Sequence, residues 1–377
     1  MNLSLLNKLF SLFSHDIGID LGTANTLVFV KDKGIVIREP SVVAKHKKTK
    51  KVIAIGTDAK KMLGKTPASI LTIRPLRGGV IADFDATEAM IAHYIKQVHE
   101  MGRALPRLLA RPKVVIGIPS SVTEVERRAV WEAALSAGAR EAYLIEEPMA
   151  GAIGEGLLIF QSKGAMVVDI GGGTTEIAVI SLGGIVTGRS LKLAGDDMDQ
   201  GILHYIRLRH GMLLGERTAE EIKMKIGSAY DKRMKLKGKI TKVSKAGEIK
   251  DPLEKEKPDK VMIIRGRDIE TGLPRSLKIT ETEIREALSP IITQIIEAVA
   301  DVLEETPPEL LPDILEQGIL LTGGGAQLTG LDRLLVERIH MPVVVSEDPL
   351  TSVVRGTGRV LEDPELLERV KVIGGLR

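Results

Sequence analysis

Two segments of this chain repeat one pattern: a hydrophobic strand, an aspartate, a glycine turn carrying hydroxyls, and a second strand. The first is Asp16-Ile-Gly-Ile-Asp20-Leu-Gly22-Thr23-Ala24-Asn25-Thr26-Leu-Val-Phe-Val30. The second is Met166-Val-Val-Asp169-Ile-Gly171-Gly172-Gly173-Thr174-Thr175-Glu176-Ile-Ala-Val-Ile180. Aligned on the aspartates, Asp20 falls on Asp169, Gly22 on Gly171 and Thr26 on Thr175. Such a duplication predicts two similar half-molecules, each offering a glycine loop and a carboxylate. Glycines let successive backbone N–H groups approach an anion, so these loops suit phosphate. An aspartate beside each suits a divalent cation held through water. Facing one another, the two would clamp a nucleotide tail and Mg²⁺.

Length and composition agree with this organisation. At 377 residues the chain is long enough for two core-bearing domains. Apolar residues make up 44% and aromatics only 3%, which predicts aliphatic α/β layers. A formal charge of +3 is too small to argue for a nucleic-acid partner. The absence of cysteine excludes disulfides and thiolate metal sites and fits a reducing cytoplasm. No apolar run approaches the ~20 residues of a membrane span.

Strand and helix signals alternate from Asp16 onward, as in α/β proteins. Strands are expected over 114–118, 142–145, 166–170, 177–181, 318–321 and 342–345, and helices over 87–100, 124–136, 218–230, 282–305 and 330–338. A third glycine cluster, Leu321-Thr322-Gly323-Gly324-Gly325-Ala326, lies between a strand and a helix, where backbone N–H groups meet an anion or a flat ring. The lysine-rich segment 232–260 reads as a surface excursion; a basic groove for polyanions is the alternative, and mixed charges without interleaved aromatics argue against it. The segment is followed by strands at 262–265 and 276–279 around a turn at 271–274. Gly64-Lys65-Thr66 resembles the end of a P-loop, but the required earlier glycine is Ala59, so it reads as an ordinary loop. Glu146-Glu147-Pro148 follows an expected strand. Pro148 suits the opening of a helix, which puts Glu147 at the strand end where the loops converge. The alternative reading is that both glutamates simply favour the positive end of that helix.

Four of these motifs together resemble the actin, DnaK-type chaperone and sugar kinase superfamily: Asp20 to Thr26, Ile145 to Ala150, Asp169 to Glu176 and Leu321 to Ala326, in that order. Within it the chain is similar to the MreB family of bacterial actins, from about residue 16 to about 361. Supporting stretches are 73–83, 123–129 and 195–199. The resemblance implies an actin-like fold of two duplicated α/β halves around a nucleotide cleft, each with a smaller subdomain. The expected divisions are 16–43, 77–161 and 349–377 with 44–76 as the first half's appendage. The second half takes 162–197 and 278–348, with 198–277 as its appendage.

The resemblance also implies roles. Gly22, Thr23, Ala24 and Asn25 would form the first phosphate loop, and Gly171, Gly172, Gly173 and Thr174 the second. Asp20 and Asp169 would hold hydrated Mg²⁺. Glu147 would orient the attacking water, with Thr174 near the terminal phosphate of ATP. Gly323, Gly324, Gly325 and Ala326 would pack on the adenosine, and Glu220, Glu221, Ile222 and Lys223 would reach the ribose and base. This is phosphoryl transfer to water, weak until the site closes. The implied function is an ATP-dependent cytoskeletal filament at the inner face of the cell membrane that guides cell-wall synthesis and rod shape. Its partners would be other copies of itself and shape proteins. A metabolic phosphotransferase would need a second substrate pocket with a base, and no candidate is visible. A chaperone would need a peptide-binding domain after the ATPase unit. A division protein of the FtsA kind is expected to carry its membrane helix at the other terminus. The excursion at 232–260 is longer than the family pattern and bears on filament contacts, not on the nucleotide site.

Residues 1–14, Met-Asn-Leu-Ser-Leu-Leu-Asn-Lys-Leu-Phe-Ser-Leu-Phe-Ser, precede the first strand. On a helix, Ser4, Asn7, Lys8, Ser11 and Ser14 gather on a narrow polar face, while leucines and phenylalanines fill the remainder. Serines and Asn7-Lys8 interrupt the apolar core and no small-residue cleavage site follows, which argues against a signal peptide. A wide apolar face with one lysine suits an interfacial membrane helix driven by burial. The competing reading is docking on the protein's own core.

Overall fold

The computed structural model describes residues 14–100, 111–231 and 259–372, which divide into two compact units. The expected amphipathic helix at 1–14, apart from Ser14, and most of the 232–260 excursion lie outside the described residues. The first unit comprises residues 1–197, 297–327 and 341–377, and the second 198–296 and 328–340.

The sequence repeat becomes a repeat of topology, and both copies lie in the first unit. One sheet contains β1 (Ile17–Leu21), β2 (Asn25–Val30), β3 (Gly34–Pro40), β4 (Lys113–Ile118) and β5 (Glu141–Glu146), in the order β5-β4-β1-β2-β3. The other contains β6 (Ala165–Ile170), β7 (Thr175–Ser181), β8 (Gly184–Leu191), β9 (Ile319–Thr322) and β10 (Val343–Val345), in the order β10-β9-β6-β7-β8. In each, an antiparallel meander starts from the strand carrying the aspartate, and two parallel strands extend its other side. Asp20 pairs with Leu27 across the first hairpin, and Asp169 with Glu176 across the second. The two aspartates therefore occupy the same rung of duplicate ladders. β6 and β7 are buried along their whole length, which explains their unbroken apolar runs.

Helix α1 (Phe84–Glu100) and helix α2 (Glu124–Ser136) help build one apolar core on the first sheet. Thr123 and Glu126 close a reciprocal capping box at the start of α2, which fixes its first residue where the sequence pattern put it. A second core joins the two sheets through α3 (Glu147–Glu155) and α4 (Ser352–Glu362). A Cβ on Gly154 would strike the Ser352 carbonyl, and one on Gly356 the Ala150 carbonyl. The two helices thus cross backbone on backbone, an approach only glycine allows. Pro148 lies in the first turn of α3, as expected, and Gly156 ends the helix at φ 79°.

The second unit has a three-stranded sheet of Met212–Leu213, Val261–Asp268 and Pro274–Thr280. The helix Glu216–Ile226 packs against its central strand. The expected hairpin around 271–274 is present. Asp268 organises its turn by accepting from the Glu270 and Thr271 amides, and these bonds with Arg275 push its carboxyl down to about 2. The P-loop look-alike at Gly64 follows the helix Thr57–Met62, not a strand. Among the described residues, no helix is long and apolar enough to cross a membrane.

Candidate functional site

The site lies at the ends of β1 and β6, where the two hairpin turns meet. A Cβ on Gly172 would come within 2.6 Å of the Ala24 methyl, so the loops touch and glycine is required at the contact. Each loop is tied back by the segment leaving its meander. In the first copy, Ser41 Oγ donates to the Gly22 carbonyl at 2.6 Å and the Ser41 amide to the Ala24 carbonyl at 3.0 Å. In the second, the Gly195 and Asp196 amides donate to the carbonyls of Gly171 and Gly172 at 3.2 and 2.7 Å. A trans peptide sets its N–H opposite its C=O. Anchoring these carbonyls therefore directs the next amides, those of Thr23, Asn25, Gly172 and Gly173, the other way. The repeated threonines also serve the turns: Thr26 shares a hydrogen bond of 2.8 Å with Ser41, and Thr175 donates to the Leu193 carbonyl at 2.7 Å.

Four carboxyl groups converge here. Burial and the neighbouring charge of Asp169 push the partly exposed Asp20 up to about 8. Asp169 is buried and raised to about 6 by its burial, against the opposing effect of a hydrogen bond from Thr322 Oγ1 at 2.8 Å. Glu147 is buried at the start of α3. Its carboxyl is held well above the usual carboxylate range, first by burial and then by Glu176, Asp20 and Asp169. Burial likewise raises Glu176, although Ser190 Oγ and the Ser120 amide donate to it. Glu146 occupies the N-cap position of α3 with no side-chain capping bond, and Glu147 lies in its first turn.

The duplicated rung is used differently in the two copies. Beside Asp20 on the parallel strand stands Gly117, and beside Asp169 stands Thr322. A Cβ on Gly117 would come within 3.0 Å of Val353 Cγ1, and Glu147 Cγ would lie 3.6 Å away in ordinary contact, so Glu147 packs over this strand position. Thr322 instead pins Asp169. Gly117, Thr322, Glu176 and Ser41 were not singled out from sequence as site residues. Of these, Glu176 and Thr322 lie inside recognised motifs, and Gly117 and Ser41 lie outside them.

A cluster of buried, unneutralised carboxylates beside amide-rich loops fits a hard, oxygen-preferring cation with a phosphate chain. Among the described residues, no three His, Asp or Glu side chains are set to coordinate a metal directly. The third glycine cluster follows β9 as a short 3₁₀ turn, Gly324–Gln327. The Gly323 amide donates to the Pro349 carbonyl at 2.9 Å, and Ala326 is buried. Glu220, Glu221, Ile222 and Lys223 all fall on the helix Glu216–Ile226 of the second unit. Ile222 is fully buried there, Lys223 pairs with the buried Asp199 at 2.9 Å, and Glu221 pairs with Arg217 and Lys225.

The family model described as MreB/Mbl protein matches residues 14–251 and 242–369. Cell shape-determining protein MreB of Escherichia coli strain K12 is 49% identical over 362 residues, covering 95% of this chain and 96% of that protein. Cell shape-determining protein Mbl of Bacillus subtilis strain 168 is 46% identical over 361 residues, covering 96% and 100%. The crystal structure of MreB5 of Spiroplasma citri bound to ADP superposes with a TM-score of 0.81 at 35% identity, over 94% of this chain and 98% of that one. Duplicated sheets, paired aspartate loops and these full-length similarities lead to one assignment: the chain belongs to the MreB/Mbl family and has its actin-like fold.

Proposed function

We propose that the chain is an ATP-binding, cell-shape-determining filament protein working at the inner face of the cytoplasmic membrane, where it organises cell-wall synthesis. The observation that carries this is the pair of anchored glycine loops facing four converging carboxyl groups. The relatives' names supply the cell-shape role, and the S. citri MreB5 structures with ADP and AMPPNP support the nucleotide. Asp20 and Asp169 would hold hydrated Mg²⁺. When bound, that ion neutralises the polyphosphate and the charge developing on it. The loop amides of Thr23, Gly172 and Gly173 bind phosphate oxygens. Glu147 positions water and accepts its proton, and Thr174, buried at the end of the second loop, offers a hydroxyl near the terminal phosphate. The 3₁₀ turn Gly323–Ala326 supports the adenosine.

Nucleotide-dependent assembly is the direct test. Light scattering should rise with Mg-ATP above a threshold protein concentration and stay flat without nucleotide. A chain that remains monomeric at all concentrations, with and without lipid, overturns the filament reading in favour of a phosphotransferase.

The membrane contact is assigned to residues 1–14, on the strength of their apolar face. Replacing Leu6 and Phe10 with glutamate should release the monomer from liposomes without loss of ATP binding. Each such side chain contributes roughly 1.5–3 kcal/mol when buried. Polymer is compared alongside, because many anchors on one filament mask a weak single one. Unchanged sedimentation in both states shows that the tail is not the anchor, and a markedly lower melting temperature shows that it packs on the core.

A further inference from the structure

The three-stranded sheet of the second unit buries one face and leaves the other open. Residues paired directly across an antiparallel ladder share a face. Ile263 pairs with Lys278, Arg265 with Ser276, and Arg267 with both Pro274 and Leu213. With Val261 they form the outward face, while Met212, Ile264 and Ile279 are buried on the inward one. Arg265, Arg267 and Lys278 are exposed. Among them stand Ile263 at 71% exposure, Val261 at 51% and Leu213 at 44%, with Leu273 in the adjoining turn at 64%. No acid faces outward along these ladders. Asp268 points inward and pairs with Arg275, and Glu270 lies in the turn beyond the last rung.

Solvent alone does not account for three large aliphatic side chains, Ile263, Val261 and Leu213, standing on one sheet face among cations that have no outward-facing acid beside them among the described residues. We infer that this face is a contact surface for an anionic lipid bilayer, separate from residues 1–14. The chemistry matches on both counts. Aliphatic side chains enter the boundary between headgroups and acyl chains, and Arg and Lys, whose stems are apolar, keep their charges at the level of the lipid phosphates. The absence of aromatic rings and carboxylates on the face argues against single-stranded nucleic acid and against a mixed-charge protein interface.

The chain has no cysteine, so one introduced thiol labels a single position. The full chain carrying Ile263→Cys is labelled with an environment-sensitive dye and mixed, without nucleotide, with phosphatidylglycerol vesicles containing brominated lipid. The same label at Met224→Cys is the control, since Met224 is 76% exposed on the helix Glu216–Ile226 behind the sheet. The expected result is a blue shift and bromine quenching at 263, neither at 224, and no response to phosphatidylcholine vesicles. Adding R265Q and K278Q should weaken the 263 response so that roughly thirtyfold more lipid is needed, at about fivefold per cation. Vesicle-bound protein whose 263 label stays unquenched overturns the proposal, because residues 1–14 then account for binding alone. So does a full shift with polyglutamate but no bromine quenching with lipid, which would mark a site for acidic protein.

Discussion

Glu147→Ala slows nucleotide hydrolysis by about 10²–10⁴-fold while leaving ATP affinity within a few-fold of the parent. The split follows from position. Glu147 reaches the site from the start of α3, beside the Gly117 position of the parallel strand, whereas the phosphate-binding amides belong to the hairpin turns. Removing it takes away the group that orients water and accepts its proton, and leaves the loops anchored by Ser41, Gly195 and Asp196. Its pH dependence has a definite sign. Burial and three neighbouring carboxyl groups hold the Glu147 proton above the ordinary range, and only the carboxylate serves as base. Hydrolysis by the parent should therefore rise with pH through that raised value, and the residual activity of the variant should lose this limb. Phosphate release and isothermal titration with ATP, each measured across pH, give the two readouts. Unchanged phosphate release with normal polymerisation would make Glu147 a structural residue and direct attention to Glu146.

Much of this site was legible because a tandem repeat states its own equivalences. Matching Asp20 to Asp169 and Thr26 to Thr175 in sequence placed them on matching rungs of two sheets. Pro148 announced α3, and the apolar pattern over 124–136 announced α2, whose start the structure fixes by the Thr123–Glu126 capping box. What stayed hidden depends on non-local pairing. Nothing around Gly117 or Thr322 shows that each will stand beside an aspartate, since parallel neighbours are set by crossovers dozens of residues long. Ser41 is equally silent: it acts only because β3 returns to the first turn. The helix Ser352–Glu362 was also unread. Its sequence, Ser-Val-Val-Arg-Gly-Thr-Gly-Arg-Val-Leu-Glu, carries two glycines that lower its intrinsic helix propensity. They are there for packing, because Gly356 admits the backbone of α3. Tertiary need overrides local preference at that crossing.

Asp20→Asn is expected to raise the melting temperature of the nucleotide-free chain at pH 8 and to abolish the further rise that Mg-ATP gives the parent. The reasoning starts from the Asp20 carboxyl, which burial and Asp169 push from 3.8 up to about 8. A folded-state value above the unfolded one means that the folded chain binds the proton more tightly. The stabilisation from that proton is complete below about pH 4 and is lost as pH rises through about 8. Asparagine is neutral throughout, so the variant should match the parent near pH 4 and exceed it by several degrees at pH 8. The same charge that weakens the empty site is what the cation uses. In the parent, saturating ligand at a hundred times its Kd adds about 2.7 kcal/mol, and the variant should gain little of this. Asp169→Asn should show the same inversion with a smaller gain, because Thr322 already offsets part of the burial of Asp169. Thermal unfolding at three pH values, with and without Mg-ATP, measures both arms. A variant less stable than the parent at pH 8 without ligand would show that Asp20 is a structural carboxylate. Equal stabilisation of both proteins by Mg-ATP would remove Asp20 from the cation site.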